Sequence, residues 1–405
     1  MISNETQEKL VERLINRIEQ LNEYILQEIG KKLKRIGNMT PSEAYQIQQI
    51  LKYGGDLDKI LEKIAKVTNL NVQDIYTIFE EEAKINQNFA KKFYDAKNIS
   101  FIPYAENEVL QNQVRAIAKI TASQYVNLSR TMAFANIDSH GNIVFSDIAK
   151  TYQDTIDKAI LSLTQGKEAY QQVMRKSMKE LARHGINTVD YTSGRTRRLD
   201  SAVRMNILDG MRDMSNTLQK QFGEEYGADG IEISVHSNPA PDHADVQGHQ
   251  FTNEEFKKFQ QGLTAKDYKG RIYQPVKDNK DRRPISEYNC YHYIFCIVLG
   301  VSKQEYTQEQ LDKINEKNEE GFIYEGKKYT MYEGTQLQRQ IETEIRKQKD
   351  LQIAGKAMAD KEMIAEAQTK IEILDNKYNE ISIISGLPTK IRRLYVTGYR
   401  KANIN

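Results

Sequence analysis

Apolar positions recur at three- and four-residue steps along most of the chain. Leu10, Leu14, Ile18, Leu21 and Ile25 trace one stripe of a helix running to about Ile29. Thr40-Pro41-Ser42-Glu43 reads as an N-cap, a proline at the first helical position and a capping-box Glu. The region to about residue 100 is therefore predicted to be mostly helical, with a turn at Gly54-Gly55. The helical pattern holds from about Glu106 to His184, broken near Asp138-Ser139-His140-Gly141 and at Gly166. β-Branched residues between Gly185 and Gly194 predict a short strand and a turn. Leu199, Val203, Ile207, Met211, Met214, Leu218 and Phe222 then mark a long helix, ended by Gly227 and Gly230. Ile231 to Val235 alternates apolar and polar residues, the period of a half-buried strand. Beyond Gly300 the helical period returns, with a small hairpin predicted around Glu325-Gly326.

Proline placement sharpens this division. None of the seven prolines lies between 103 and 239 or between 284 and 388, so those stretches are free to be helical. Four fall within 239–284, which is predicted to be the compact, non-helical part of the molecule. The expected fold is mainly α with a small α+β module: an elongated helical frame around a compact His/Cys-containing domain. The chain divides into an N-terminal helical region (1–100), a helical connecting region (101–184), an α+β core module (185–302) and a C-terminal helical region (303–405). The apolar stripes read as bundle core ahead of partner surface.

Charge narrows the function classes. Lys and Arg number 58 and Asp and Glu 56, so the chain lacks the positive excess that a whole-protein nucleic-acid binder needs. The N-terminus has no apolar core of a secretory signal. The longest apolar run, Tyr293 to Val301, falls far short of the roughly 20 residues that span a bilayer. Two cysteines make no disulfide framework. The expectation is a soluble chain that folds in a reducing compartment, with no membrane partner and no small-molecule substrate.

The sharpest local signal is chemical. Four of the six histidines and both cysteines fall between 236 and 296. His236, His243, Cys290 and His292 make a donor set chemically adequate for one structural zinc ion. Their two halves are 46 residues apart, and no C-x-x-C occurs, so the spacing is not that of a familiar zinc finger. The competing reading is a metal-free domain in which these side chains pack and hydrogen-bond. Asp242 suits either the orientation of a ligating imidazole or the turn after Pro241. Cys290 beside His292 also admits a nucleophile and base, and the cluster a metal-dependent nuclease or hydrolase. No H-E-x-x-H, G-x-S-x-G or phosphate-binding loop is present, so no catalytic residue or enzyme class is assigned. Arg195, Arg197, Arg198 and Arg204, with Arg282 and Arg283 further on, could meet DNA phosphates or a partner. Nearby Asp190, Asp200, Asp209 and Asp213 favour internal ion pairs instead.

Taken together, N-T-V-D-Y-T-S-G-R-T-R-R-L (187–199), V-R-M-N-I (203–207), I-S-V-H-S-N-P-A-P-D-H-A-D-V-Q-G-H-Q-F-T (233–252), N-C-Y-H (289–292) and V-L-G-V-S (298–302) resemble the tailed-phage minor capsid protein type 2 family. The matching positions are His236, His243, Gln247, Gly248, Asn289, Cys290 and His292, and the resemblance spans about 185 to 400. Val246 stands where the family has Trp, Ala240 where its loop has Arg, and Tyr291 where it has Arg between Cys and His. The resemblance implies a low-copy structural protein of a phage or prophage head, assembled in the bacterial cytoplasm and related to Mu-F-type head morphogenesis proteins. It further implies association with the portal and other capsid proteins, with support for DNA packaging or ejection. The alternatives are the metal-dependent nuclease and a DNA-binding ejection protein.

Overall fold

The computed structural model describes residues 4–39, 56–137, 143–163, 167–189, 196–274, 283–286 and 290–402. The features expected at 40–43, Gly54-Gly55, 138–141, Gly166, Asp190, Gly194, Arg195, Arg282 and Asn289 lie outside them.

Long helices carry the frame. They are α1 (Asn4–Ile36), α2 (Asp56–Lys97), α3 (Glu108–Arg130), α4 (Ile148–Leu163), α5 (Lys167–His184) and α6 (Leu199–Tyr226). The α1 stripe is inside from Leu14 onward: Leu14, Leu21 and Ile25 expose no surface, and Leu10 is partly buried. Helix α3 starts at Asn107, whose side chain accepts from the Leu110 N–H. Helix α6 stops at Gly227, which adopts a left-handed φ of 73° at the C-cap, where a Cβ would be strained. One apolar core joins these helices to Leu351, Ala354, Met363 and Ala367, far along the chain.

The connecting region departs from its helical reading. Strands β1 (Met132–Ile137) and β2 (Ile143–Asp147) form an antiparallel hairpin between α3 and α4, with Ala133 opposite Asp147. Strand β1 also pairs with β3 (Asn187–Val189), which pairs with β4 (Thr196–Arg198), giving the order β2-β1-β3-β4. The mostly apolar run of Met132 to Ile137, ahead of an Asp-Ser-His-Gly turn signal, suits a hairpin strand as well as a continuing helix.

The small module is built on β5 (Gly230–Ile233), flanked by β6 (Gln250–Thr252) and β9 (Ile294–Ile297) in an antiparallel sheet. Paired on both edges, β5 is buried along its whole length rather than alternating. The 239–284 segment is not free of helix: the Thr252 side chain accepts from the Glu255 N–H and starts α7 (Asn253–Gln260). That octet contains no proline, and the capped start satisfies an amide that the helix itself leaves open. A two-stranded piece, β7 (Ala265–Lys266) with β8 (Ile272–Tyr273), closes a core of Ile231, Val246, Phe251, Phe259 and Tyr273. Helix α6 supports this sheet, since the Tyr226 hydroxyl donates to the Cys296 carbonyl at 2.8 Å.

The C-terminal region contains α8 (Gln308–Glu320), the hairpin β10 (Phe322–Tyr324) and β11 (Lys327–Tyr329), then α9 (Met331–Met358), α10 (Lys361–Ser385) and α11 (Ile391–Leu394). The hairpin turns at Glu325-Gly326 as expected, both residues having positive φ (48° and 75°). Helix α9 opens with a capping box between Thr330 and Glu333 and packs on α1, α5 and α10. Among the described residues, no helix is long and apolar enough to cross a membrane. The fold is mainly helical, with small antiparallel sheets.

Candidate metal centre

His236 and His292 approach one another because β5 and β9 are neighbours in one sheet. Just past β5, the Ser234 N–H donates to the Tyr293 carbonyl at 3.0 Å, and the Tyr293 N–H donates to the Ser234 hydroxyl at 2.8 Å. The His236 and His292 ring centroids lie 4.2 Å apart. His243 enters from the proline-stiffened turn after Pro241, closed when the Gly248 N–H donates to the Ile233 carbonyl. Helix α8 pins that turn, with the Asn318 amide donating to the Pro239 carbonyl and the Asn315 amide to the Ala244 carbonyl.

Three of the four expected ligands form a close group: donor atoms of His243, Cys290 and His292 all lie within 4.8 Å of one another. The Cys290 Sγ stands 3.6 Å from His243 Nδ1 and 3.5 Å from His292 Nδ1. His243 and Cys290 are 1% exposed and His292 3%, so the group lies inside the protein. His236 is outside the close group, yet its Nε2 is buried with no hydrogen-bond partner. His249, not expected to ligate, turns away and meets the Gln308 side chain at 3.1 Å.

The remaining ring nitrogens are held from outside. His243 Nε2 donates to the Arg283 carbonyl at 2.6 Å, so its proton is on that nitrogen in the neutral ring. Arg283 is fixed in turn by Asp242, to which its Nε donates at 2.8 Å and its Nη2 at 3.0 Å. His292 Nε2 faces Gln247 Oε1 at 3.3 Å. The Gln247 amide cannot be flipped, because Oε1 accepts the His236 N–H at 2.8 Å while Nε2 donates to the His236 carbonyl at 3.2 Å. The Ser286 N–H donates to the Cys290 sulfur at 3.2 Å, and the Ser286 hydroxyl donates to the His292 carbonyl at 2.6 Å.

Electrostatics keep the His236 and His292 rings neutral. Burial lowers His236 to about 4 and, with His236 and His243 nearby, holds His292 well below the usual imidazole range. Burial opposes charge on His243 and Cys290 as well, but each outweighs it for the other: the imidazole is raised and the thiol lowered. A cleft of about 520 Å³ adjoins the cluster, with Tyr332, Arg339, Glu342 and Arg393 on its far side. The two acidic walls, Glu8 and Glu342, both face Arg393.

The phage minor capsid protein 2 family matches residues 2–381. The chain belongs to that family. Membership takes in the N-terminal helices, which resembled it only in general character. Nothing matches among curated proteins or among solved structures.

Two departures of this phage minor capsid protein from its family pattern now have a setting. Val246, in place of Trp, is fully buried in the module core. Tyr291, in place of Arg, lies beneath the guanidinium groups of Arg212 at 5.5 Å and Arg339 at 5.8 Å. Of the arginines expected to meet DNA or a partner, Arg195 lies outside the described residues. Arg197 is exposed and approaches Met205. Arg198 points inward to Asp200 and Asp350 at 3.3 and 3.2 Å and is not a surface group. Gln247, Arg283 and Ser286 were not expected as supports of the cluster. The Gln-Gly step beside the histidines was their one signal in the sequence.

Proposed function

We propose that this minor capsid protein is a low-copy structural component of a phage or prophage head that associates with the portal during assembly and supports DNA packaging or ejection. Family membership over residues 2–381 carries the reading. The architecture is compatible with it: α10 leaves Ile373, Ile383 and Ile384 exposed on a long helix, where a neighbouring protein could cover them. In this reading the central module holds a structural metal, and the virion is its location. A catalytic role is disfavoured because the carboxylates bordering the cleft are engaged by Arg393.

Coexpression with the portal protein of the encoding phage tests the proposal. The expected result is a complex that survives affinity capture and size-exclusion chromatography. Separate elution at every assembly stage would count against portal association.

A further inference from the structure

We infer that the cluster is a closed Cys1His3 zinc site, ligated by His243 Nδ1, His292 Nδ1, Cys290 Sγ and His236 Nε2. The inference rests on reading the module as metal-bearing; it stands or falls apart from portal docking.

Proton counting is the first argument. His243 Nε2 and His292 Nε2 each face an oxygen that can only accept, the Arg283 carbonyl and Gln247 Oε1. With those protons placed, both neutral rings turn an Nδ1 lone pair toward the same sulfur. A thiol has one proton to give. If it serves one ring, the other lone pair faces sulfur with nothing between. If the proton passes to His243, a thiolate and the His292 lone pair face each other at 3.5 Å. His236 adds a further buried nitrogen, Nε2, without a partner. Unpaired buried acceptors are costly, and two lone pairs converging on one sulfur are unusual. A divalent cation satisfies both and takes the sulfur as thiolate, and a turn of the adjacent His236 ring would bring its Nε2 in as the fourth donor.

Distance is the second argument. Zinc bonds of about 2.3 Å to sulfur and about 2.0 Å to nitrogen set a tetrahedral sulfur–nitrogen edge of about 3.5 Å. The two sulfur–nitrogen edges of the cluster are 3.6 and 3.5 Å. The surroundings also fit. Each ligating ring of the close group is oriented through its second nitrogen, and the sulfur accepts a backbone N–H from Ser286. A soft thiolate with three imidazoles selects zinc over magnesium or calcium, which prefer oxygen.

The test uses the full chain purified without chelator or affinity histidines. Elemental analysis should find about one zinc per chain. Cobalt exchanged into the site should show the visible bands of a tetrahedral ion together with a thiolate-to-cobalt band in the near ultraviolet. Cys290→Ser should remove the thiolate band. If that variant does not fold, His236→Ala keeps three ligands and should bind metal more weakly by at least the roughly 10- to 100-fold that loss of an outer-shell partner costs, with an altered cobalt spectrum. Folded wild-type protein that contains no zinc and gives no thiolate–cobalt band would overturn the site. Unchanged affinity and spectrum in His236→Ala would overturn the fourth ligand. Zinc bound by folded Cys290→Ser with wild-type affinity would show an adventitious ion only.

Discussion

Arg198 sits where β4 gives way to α6, and its guanidinium is held between Asp200 and Asp350. Burial pushes the Asp200 carboxyl up, but Arg198 and Arg346 overcome it and hold the group near 2. Arg198→Met should therefore cost about 3–5 kcal/mol in denaturant unfolding, because Asp350 would stay buried without its hydrogen-bonded cation and Asp200 would keep only the more distant Arg346. Glu19 shows the opposite balance. Burial, then the nearby Asp200 charge, raises it from 4.5 to about 8. Its stabilising contribution is present below pH 4.5 and is lost as pH rises through about 8. Glu19→Gln should flatten that loss, gaining on wild type by on the order of 2 kcal/mol between pH 5 and pH 9. Unfolding midpoints of both proteins across that range would check it. The sequence offered Asp200 as a partner for the arginines, since the two are neighbours. Asp350, 152 residues from Arg198, left no trace in the local pattern.

Helices that cross closely leave little room for side chains at the contact. Gly210 of α6 lies against Thr121 of α3 and Phe79 of α2, and a Cβ there would sit 3.1 Å from the phenyl ring. Gly210→Val should destabilise the frame by about 1–3 kcal/mol, read as a lower thermal midpoint without loss of secondary structure at low temperature. Long elements such as α1 and α6 were legible because one apolar stripe persists over many turns, as from Leu199 to Phe222. Short strands were legible only in part. The strand expected between Gly185 and Gly194 is β3 (three residues), but β1, β2 and β4 were not expected, and the pairing of β3 with β1 bridges a long gap in sequence. The octet α7 was hidden inside a proline-rich stretch, where Thr252 was its only start signal. The hairpin at Glu325-Gly326 was readable because the turn residues fall between two short β-prone runs.

At the scale of the whole molecule, a near-neutral chain folds around one extended helical core, with a small sheet module fastened to it. That core contains none of the four proposed ligands, so the frame does not depend on them for its apolar contacts. Chelation should accordingly open the segment around 236–292 to limited proteolysis while most of the helical circular dichroism remains. Complete loss of helix on chelation would show that module and frame fold as one unit. Rare residue types made the cluster visible: His236, His243, Cys290 and His292 stand out against a background of Lys, Glu and Gln. Its supports stayed hidden because Gln247, Arg283 and Ser286 act through backbone groups and common amides. Family membership places the molecule among phage capsid proteins, and its site in the particle is the central proposal. Quantitative mass spectrometry of purified heads from the encoding phage tests that proposal most directly. This chain should be present in a few copies alongside the portal, far below the major capsid protein. Heads that contain the portal but lack this chain at every stage of assembly would contradict it.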